Sequence, residues 1–452
     1  MKTKDIDMTS GSLWDKILKF ALPLAASSIL QQMFNSADVA IVGRFAGSQA
    51  LAAVGSNGSI INLLINIFVG LSIGTNVVIA RFIGKGDTKR ISAAVHTSLV
   101  VAALSGLFVS IIGLIITRPV LLMMATPDDV IDLSTTYLRI YFLGMPLIML
   151  YNFSASILRS KGDTKRPLVC LTISGVMNVI LNLIFVIGFK MSVAGVAIAT
   201  VISQLVSASL LIILLAREEG ALQLSFKKLR IDKQILREIA RIGIPSGLQG
   251  MVFSASNVVI QSSMNSLGST VIAASSAALN FEIFAYYMLN SFEHAAVTFT
   301  GQNYGAGKYD RCNAVAYRCL LLGGIFTGAL CALFIAFGNS FIRIYTTDEA
   351  VIPLALQRVR LVLSFQVVNM ALEVFSGCMR GLGHSLVPAI VSMAGICGVR
   401  LVWVATVFKA SPTFPTLIAV YPLSWIVTAV LIIIAYFIIR KKVYANAEEA
   451  AV

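Results

Sequence analysis

Charge is scarce in this 452-residue chain: Asp, Glu, Lys and Arg together make up 12% of it, about half the share of an ordinary soluble domain. A water-soluble fold of this composition would expose broad apolar patches, so the bilayer is the natural solvent. Histidine is rarer still, with three residues, and the six cysteines form no Cys-x-x-Cys pair. That excludes a zinc-ligand framework and a disulfide scaffold, and it leaves the cysteines as small buried hydrophobes. Two glycine-rich loops, Gly84-Lys-Gly-Asp-Thr-Lys-Arg90 and Gly305-Ala-Gly-Lys-Tyr-Asp-Arg311, lack the spacing of a phosphate-binding loop. No catalytic triad is visible, so neither an enzyme nor a nucleotide-driven machine is expected. A cleavable leader is missing as well. The first apolar stretch runs on into Gln31, Gln32, Asn35 and Asp38 without a small-residue cleavage site, and reads as a retained span.

What is abundant is apolar length: 57% of residues are hydrophobic. Twelve stretches of roughly the 20 residues that cross a hydrocarbon core begin near Ile17, Leu51, Ile91, Val130, Pro167 and Ser192, then near Glu238, Val271, Asn313, Ala350, Val387 and Pro415. The two sets of six repeat each other at an offset of 221 residues. Gly84, Gly86 and Arg90 recur as Gly305, Gly307 and Arg311; Arg159, Gly162 and Pro167 recur as Arg380, Gly383 and Pro388. Gly47-Ser48 recurs as Gly268-Ser269 and Ser203 as Ser424, while Pro23 returns one residue out of step as Pro245. An even number of spans per copy makes the repeats parallel, about an axis along the membrane normal. The expected fold class is therefore all-α integral membrane, with twelve transmembrane helices in two six-helix pseudo-symmetric lobes. The lobes are 1–216 and 238–452, joined by a polar cytoplasmic linker over 217–237 in which a helix on the membrane surface is an option. Two halves rocking about a shared site is the organisation of secondary transporters.

A net charge of +14 raises the question of nucleic acid, and the distribution of that charge answers it. With the N-terminus in the cytoplasm, Lys2, Lys4, Lys16, Lys19, Arg81, Lys85, Lys89, Arg90, Arg159, Lys161, Lys165, Arg166, the linker, Lys308, Arg311, Arg318 and Arg440-Lys441-Lys442 share one side. The opposite loops hold mainly Arg44, Arg118, Lys190, Arg343 and Lys409, with Asp128, Asp129, Asp132, Asp348 and Glu349 among them. That bias is the positive-inside rule: both termini are expected in the cytoplasm and the basic excess against anionic lipid, with no nucleic-acid partner.

Polar groups inside a bilayer must find partners, so an intramembrane cluster is a functional candidate. The first span carries Gln31, Asn35 and Asp38 on one face; the fifth carries Asn178 and Asn182, and the sixth Thr200 and Gln204, each pair at i, i+4. Asp38 is the only carboxylate within the first six spans. As an anion it is costly there, so it either exchanges a proton or cation, or sits at the wet end of its helix near Arg44. In the second half Glu282 and Glu293, with His294 beside the latter, return to nearly one face of the eighth span. The tenth span places Gln366, Asn369 and Glu373 in a stripe, Arg400 lies near the middle of the eleventh, and Tyr421 opens the twelfth. Arg400 needs a partner at that depth, and Glu282, Glu293 and Glu373 are available. The set serves either as a coupling and gating site or as a static ion pair. In the repeat register these residues have no copies: Asp38 aligns with Val259 or Ile260, Glu373 with Asn152, Glu282 with Ile61 and Arg400 with Val179.

With these residues in place, the chain resembles the multidrug and toxic compound extrusion (MATE) family over about 15–445. The resemblance rests on Pro23 with Gln31-Gln32, Asn35 and Asp38, on Gly55, and on Leu158-Arg-Ser-Lys-Gly-Asp-Thr-Lys-Arg-Pro167. It also rests on Gly195-Val-Ala-Ile-Ala-Thr200 with Ser203-Gln204, on Gly301-Gln-Asn-Tyr-Gly-Ala306 and on Met379-Arg-Gly-Leu-Gly383. It implies a multidrug efflux transporter of a bacterial cytoplasmic membrane, working by alternating access and exchanging cationic or amphipathic small molecules for H⁺ or Na⁺. No other cofactor is implied, and a monomer is expected. The intramembrane charges, read as mostly acidic with one arginine, favour cationic guests. A flippase or exporter of lipid-linked saccharide, from the wider superfamily, is the alternative and would need a strongly cationic cavity. A sensor would need an extramembrane domain, and none of that size is visible. By the resemblance, Asp38, Asn178 and Thr200 fall on the family's first-lobe cation site, and Asn182 stands where relatives have an aspartate. The acids that another branch carries on spans seven and ten fall at Phe253 and Asn369 here.

Overall fold

Apolar length becomes helix nearly everywhere, because a backbone in hydrocarbon must satisfy its own hydrogen bonds. The computed structural model describes residues 6–124 and 126–449, and among the described residues there is no strand. Lys2 and Lys4 lie outside them. The first copy runs α1 (Trp14–Phe45), α2 (Ser48–Ser56), α3 (Gly58–Lys85), α4 (Thr88–Met123), α5 (Asp128–Leu143), α6 (Met145–Ser160), α7 (Lys165–Asn182) and α8 (Ser192–Ala216). The second runs α9 (Lys233–Asn265), α10 (Ser269–Gly305), α11 (Tyr309–Ala336), α12 (Gly338–Ile342), α13 (Val351–Ser364) and α14 (Gln366–Gly381). It ends with α15 (Leu386–Ser392), α16 (Val399–Trp403), α17 (Phe414–Ile418) and α18 (Val420–Glu449).

Among the described residues nine helices are individually long and apolar enough to cross a membrane. Two bent pairs bring the number to eleven: α5 with α6, at 47°, and α13 with α14, at 41°. The twelfth segment, α9, has the length to cross at 33 residues but opens on Lys233, Arg237, Glu238 and Arg241. The 221-residue offset survives in three dimensions. The bends fall at Gly144 and Phe365, and π-helical turns fall at Leu183–Gly188 and Val404–Phe408. The helix junctions use glycine in matched pairs with positive φ: Gly47 at 92° and Gly268 at 98°, Gly86 at 69° and Gly307 at 70°, Gly162 at 98° and Gly383 at 84°. Only glycine enters that region without a steric penalty, which is why these residues recur in the sequence.

The chain forms two compact units, one built on Ala26–Gly247 and the other on Asp7–Ala25 with Leu248 onward. The divisions fall inside α1 and α9, each two residues past an internal proline, Pro23 or Pro245. Within the first unit, α3 and α9 cross at backbone contact. A Cβ on Gly70 would lie 2.4 Å from the Gly243 carbonyl oxygen, and one on Gly74 would lie 2.4 Å from that of Ile239. Gly243 and Gly247 present the same closeness from the other side, at 2.5 Å from the Cα atoms of Leu71 and Ile67. Two small-x-x-x-small stripes thus pack face to face, the usual way to bring apolar helices together in lipid. Arg90 meets this helix at Gln234 (3.4 Å) and Glu238 (3.8 Å). In the second unit its repeat partner Arg311 donates to the carbonyls of Met8 (3.3 Å) and Ser10 (2.6 Å), ahead of α1.

The linker forms no surface helix. Between Arg217 and Asp232 it makes two 3₁₀ turns, Gly220–Leu222 and Phe226–Lys228, and it is hydrogen-bonded to the first unit. His96 donates from Nδ1 to the Ser92 carbonyl (2.6 Å) and accepts the Ser225 amide at Nε2 (3.0 Å). Thr97 accepts the Asp232 amide (3.0 Å), and Glu218 receives Lys161 (2.5 Å) and Arg166 (2.8 Å). The linker is thus held to the first unit by polar bonds, while Phe226, Leu229 and Ile231 stay exposed.

Candidate functional site

In the first unit the site is built by one close approach. The ring of Phe34 on α1 occupies the space that a side chain at Gly175 on α7 would need, its Cε2 lying 1.9 Å from that Cβ position. One turn beyond Phe34 comes Asp38; one and two turns beyond Gly175 come Asn178 and Asn182. Asn182 donates to Asp38 at 2.5 Å and to the side-chain oxygen of Asn178 at 3.2 Å. Both asparagines are buried. Ile41 and Val42, the next turn of α1, pack in an apolar cluster with Tyr137, Phe142, Val186, Val193 and Val196, and Tyr141 lies against it. Tyr137 and Tyr141 stack at 6.1 Å and are within electrostatic range of Asp38. Thr200 donates to the Val196 carbonyl of its own helix (2.9 Å), and Asn35 is exposed. The structure therefore brings Asp38, Asn178 and Asn182 together, and leaves Asn35 and Thr200 out of that hydrogen-bonded set.

The second unit corrects the expected partners of Arg400. Glu282 receives a bidentate pair from Arg358, Nε to Oε1 at 2.6 Å and Nη2 to Oε2 at 2.9 Å, with both residues buried. Glu293 is ion-paired to Arg380, which also donates to Gln249 at 3.0 Å. Glu373 is buried within electrostatic range of Glu293 and Arg380. Arg400 has none of these acids in contact. Its Nη1 donates to Asn257 (3.0 Å), its guanidinium lies 4.7 Å from the centroid of Tyr421, and Arg358 lies 5.1 Å from that same ring. Asn369 donates to Gln366 at 3.1 Å within the α14 stripe. The Nδ1 of His294 stands 3.7 Å from Glu293.

The buried charge is thus not mostly acidic with one arginine. Arg358, Arg380 and Arg400 balance Glu282, Glu293 and Glu373 in number. Arg358 and Arg380 were the residues missed. Their signal was present, since both lie in the apolar stretch that starts near Ala350, where a buried arginine needs an acid. Among the described residues no group of three or more His, Cys, Asp or Glu could hold a metal ion.

A duplicated, many-helix fold that buries ionisable groups inside its spans defines a polytopic membrane transporter rather than a soluble or anchored protein. The MatE family profile matches residues 23–184 and again 245–406, and the chain belongs to this family, the multidrug and toxic compound extrusion transporters. It is 30% identical over 397 residues to the probable multidrug resistance protein YoeA of Bacillus subtilis (strain 168), covering 86% of each chain. It is 21% identical over 425 residues to the multidrug export protein MepA of Staphylococcus saprophyticus, covering 91% of this chain and 94% of that one. The crystal structure of a MATE P26A mutant shares the fold, with a TM-score of 0.91 at 20% identity over 98% of this chain and 99% of that one.

Proposed function

We propose that this chain exports amphipathic small molecules across a bacterial cytoplasmic membrane in exchange for H⁺ or Na⁺, with Asp38 as the coupling residue. The observation that carries the reading is the bond from Asn182 to Asp38 within a cluster of spans. A carboxylate held there by a neutral amide has no fixed counter-charge among the described residues, so a proton or a sodium ion supplies it. Asn178 and Asn182 offer amide oxygens to such an ion, and Thr200 its hydroxyl if the helix turn releases it. Occupancy biases a two-state arrangement of the first unit, which is how an ion gradient drives alternating access. Substrates include cations, although the charge balance of the second unit removes the argument for cations alone. The chain acts as a monomer with both termini in the cytoplasm.

The test is efflux of a cationic dye from cells lacking their own exporters, with the Na⁺ and pH gradients varied separately. Wild type is expected to follow one gradient, and Asp38→Asn to lose that dependence with at least about a tenfold fall in rate, the size of one removed charge interaction. Unchanged ion dependence in Asp38→Asn would place the coupling elsewhere. Translocation of a lipid-linked sugar without dye export would favour the flippase reading.

A further inference from the structure

The repeat sets groups of opposite charge at or beside corresponding positions of the two units. Laid over the first copy, Arg358 stands where Tyr137 stands, Tyr421 where Thr200 stands, and Arg400 beside the place of Asn178, at Val179. The register is held by a shared bond: Ser203 donates to the Thr200 carbonyl at 2.8 Å and Ser424 to the Tyr421 carbonyl at 2.9 Å. Along the first helices the spacing is that of Pro23 and Pro245, which sets Asn257 on Asn35 and Ile260 on Asp38. Where one copy puts a carboxylate among amides, the other puts guanidinium groups around a phenol.

Charge arithmetic makes the second site incomplete. Glu282 neutralises Arg358 through both of its oxygens. Arg400, 4% exposed, donates among the described residues only to the neutral Asn257 and lies over the face of Tyr421, so one positive charge is left over. Its Nε is buried without a hydrogen-bond partner among the described residues, the same atom that Arg358 turns to its carboxylate. A buried guanidinium with an empty donor edge is costly, and the ligand that removes the cost is an oxyanion taken side-on. Tyr421 packs against an apolar cluster that includes Ile260, Met264, Phe414 and Leu417, and Trp403 and Leu361 pack against the same cluster. Leu361 also lines a groove of about 430 Å³ along α13, where Arg360 supplies another cation.

We propose that Arg400, with Arg358, Tyr421 and Asn257, forms an anion-binding site that takes the carboxylate or phosphate head of an amphiphile, carried by a transported compound or by a membrane lipid. Arg400 supplies the free donor edge, Asn257 and Tyr421 hold its guanidinium in place, and Arg358 adds positive field while its own edge stays on Glu282.

Full-length protein in nanodiscs of phosphatidylcholine alone tests this directly, with no ion gradient, so the outcome is independent of the Asp38 reading. Dodecanoate, dodecyl phosphate and dodecyltrimethylammonium are titrated against it, with intrinsic fluorescence and thermal stability as readouts. The two anions are expected to bind and to stabilise wild type. Arg400→Gln is expected to weaken them by about tenfold or more, the worth of a charge-assisted bidentate contact, without affecting the cation. Asn257→Asp keeps a partner on Arg400 and supplies the missing charge, so it is expected to fold at least as well as wild type and to lose the anions too. Anion binding unchanged in both variants overturns the proposal and leaves Arg400 as a packing residue, as does wild type that binds only the cation. Adding phosphatidylglycerol to the nanodiscs separates the sources. Competition against dodecanoate identifies a lipid headgroup as an occupant, and its absence identifies a soluble amphiphile; both outcomes support an anion site.

Discussion

Glu282 and Arg358 fix what a charge costs inside a span. Each is buried, and each satisfies the other at bonding distance. Glu282→Gln is expected to strand the guanidinium and lower stability by about 3–5 kcal/mol, as for other broken buried pairs. Glu282→Gln with Arg358→Gln removes both charges and is expected to recover part of that loss. Thermal unfolding in detergent measures both, and a double variant no more stable than the single one would mean that the pair contributes shape rather than charge compensation. At this scale the sequence was legible where partners lie close along a helix: Asn178 and Asn182 at i, i+4 do bond, at 3.2 Å. Arg400 was misread because its choice of partner is a tertiary event. Three acids were within plausible reach by depth alone, and helix packing gave two of them to Arg358 and Arg380.

Helices add a constraint that single residues do not show. Gly70, Gly74, Gly243 and Gly247 let α3 and α9 touch backbone to backbone, so a branched side chain there has nowhere to go. Gly74→Val is expected to leave little monodisperse protein on size-exclusion chromatography. Gly324→Ala on α11, where an added Cβ meets nothing within 4 Å, is expected to be tolerated or to stabilise by about 0.5–1 kcal/mol through helix propensity. Equal behaviour of the two variants would discount the crossing. The stripes escaped the sequence reading because i, i+4 glycines are common in spans, and which stripe faces which is set by the packing. The junction glycines were legible for the opposite reason: positive φ is a local demand that a single residue type meets.

Across the whole molecule, orientation and the linker are the quantities to measure. Single cysteines at Lys227 and at Asp129, both exposed, are expected to label from opposite sides of the membrane with an impermeant maleimide in a cysteine-free background. Labelling from one side would refute the proposed topology. For Glu218, outside the spans, burial pushes the carboxyl up, but the hydrogen bonds from Lys161 and Arg166 outweigh it and hold it below the ordinary value of 4.5. A depressed value means that the linker contact stabilises fully above the unfolded-state value and fades as pH falls through the folded one. Exchange of the Leu224 and Ser225 amides is therefore expected to rise below about pH 4.3, relative to Glu218→Gln at each pH. Parallel curves for the two proteins would remove Glu218 from the latch. The sequence by itself determined the bilayer as solvent, the helices, the duplication and the acid at Asp38, because composition, periodicity and local backbone demands are written residue by residue. Only the tertiary structure decided that the units divide inside α1 and α9, that α3 and α9 meet at glycine, and that Arg400 has no acid in contact. Those outcomes depend on which helix faces which, and a linear chain does not carry that information at any one position.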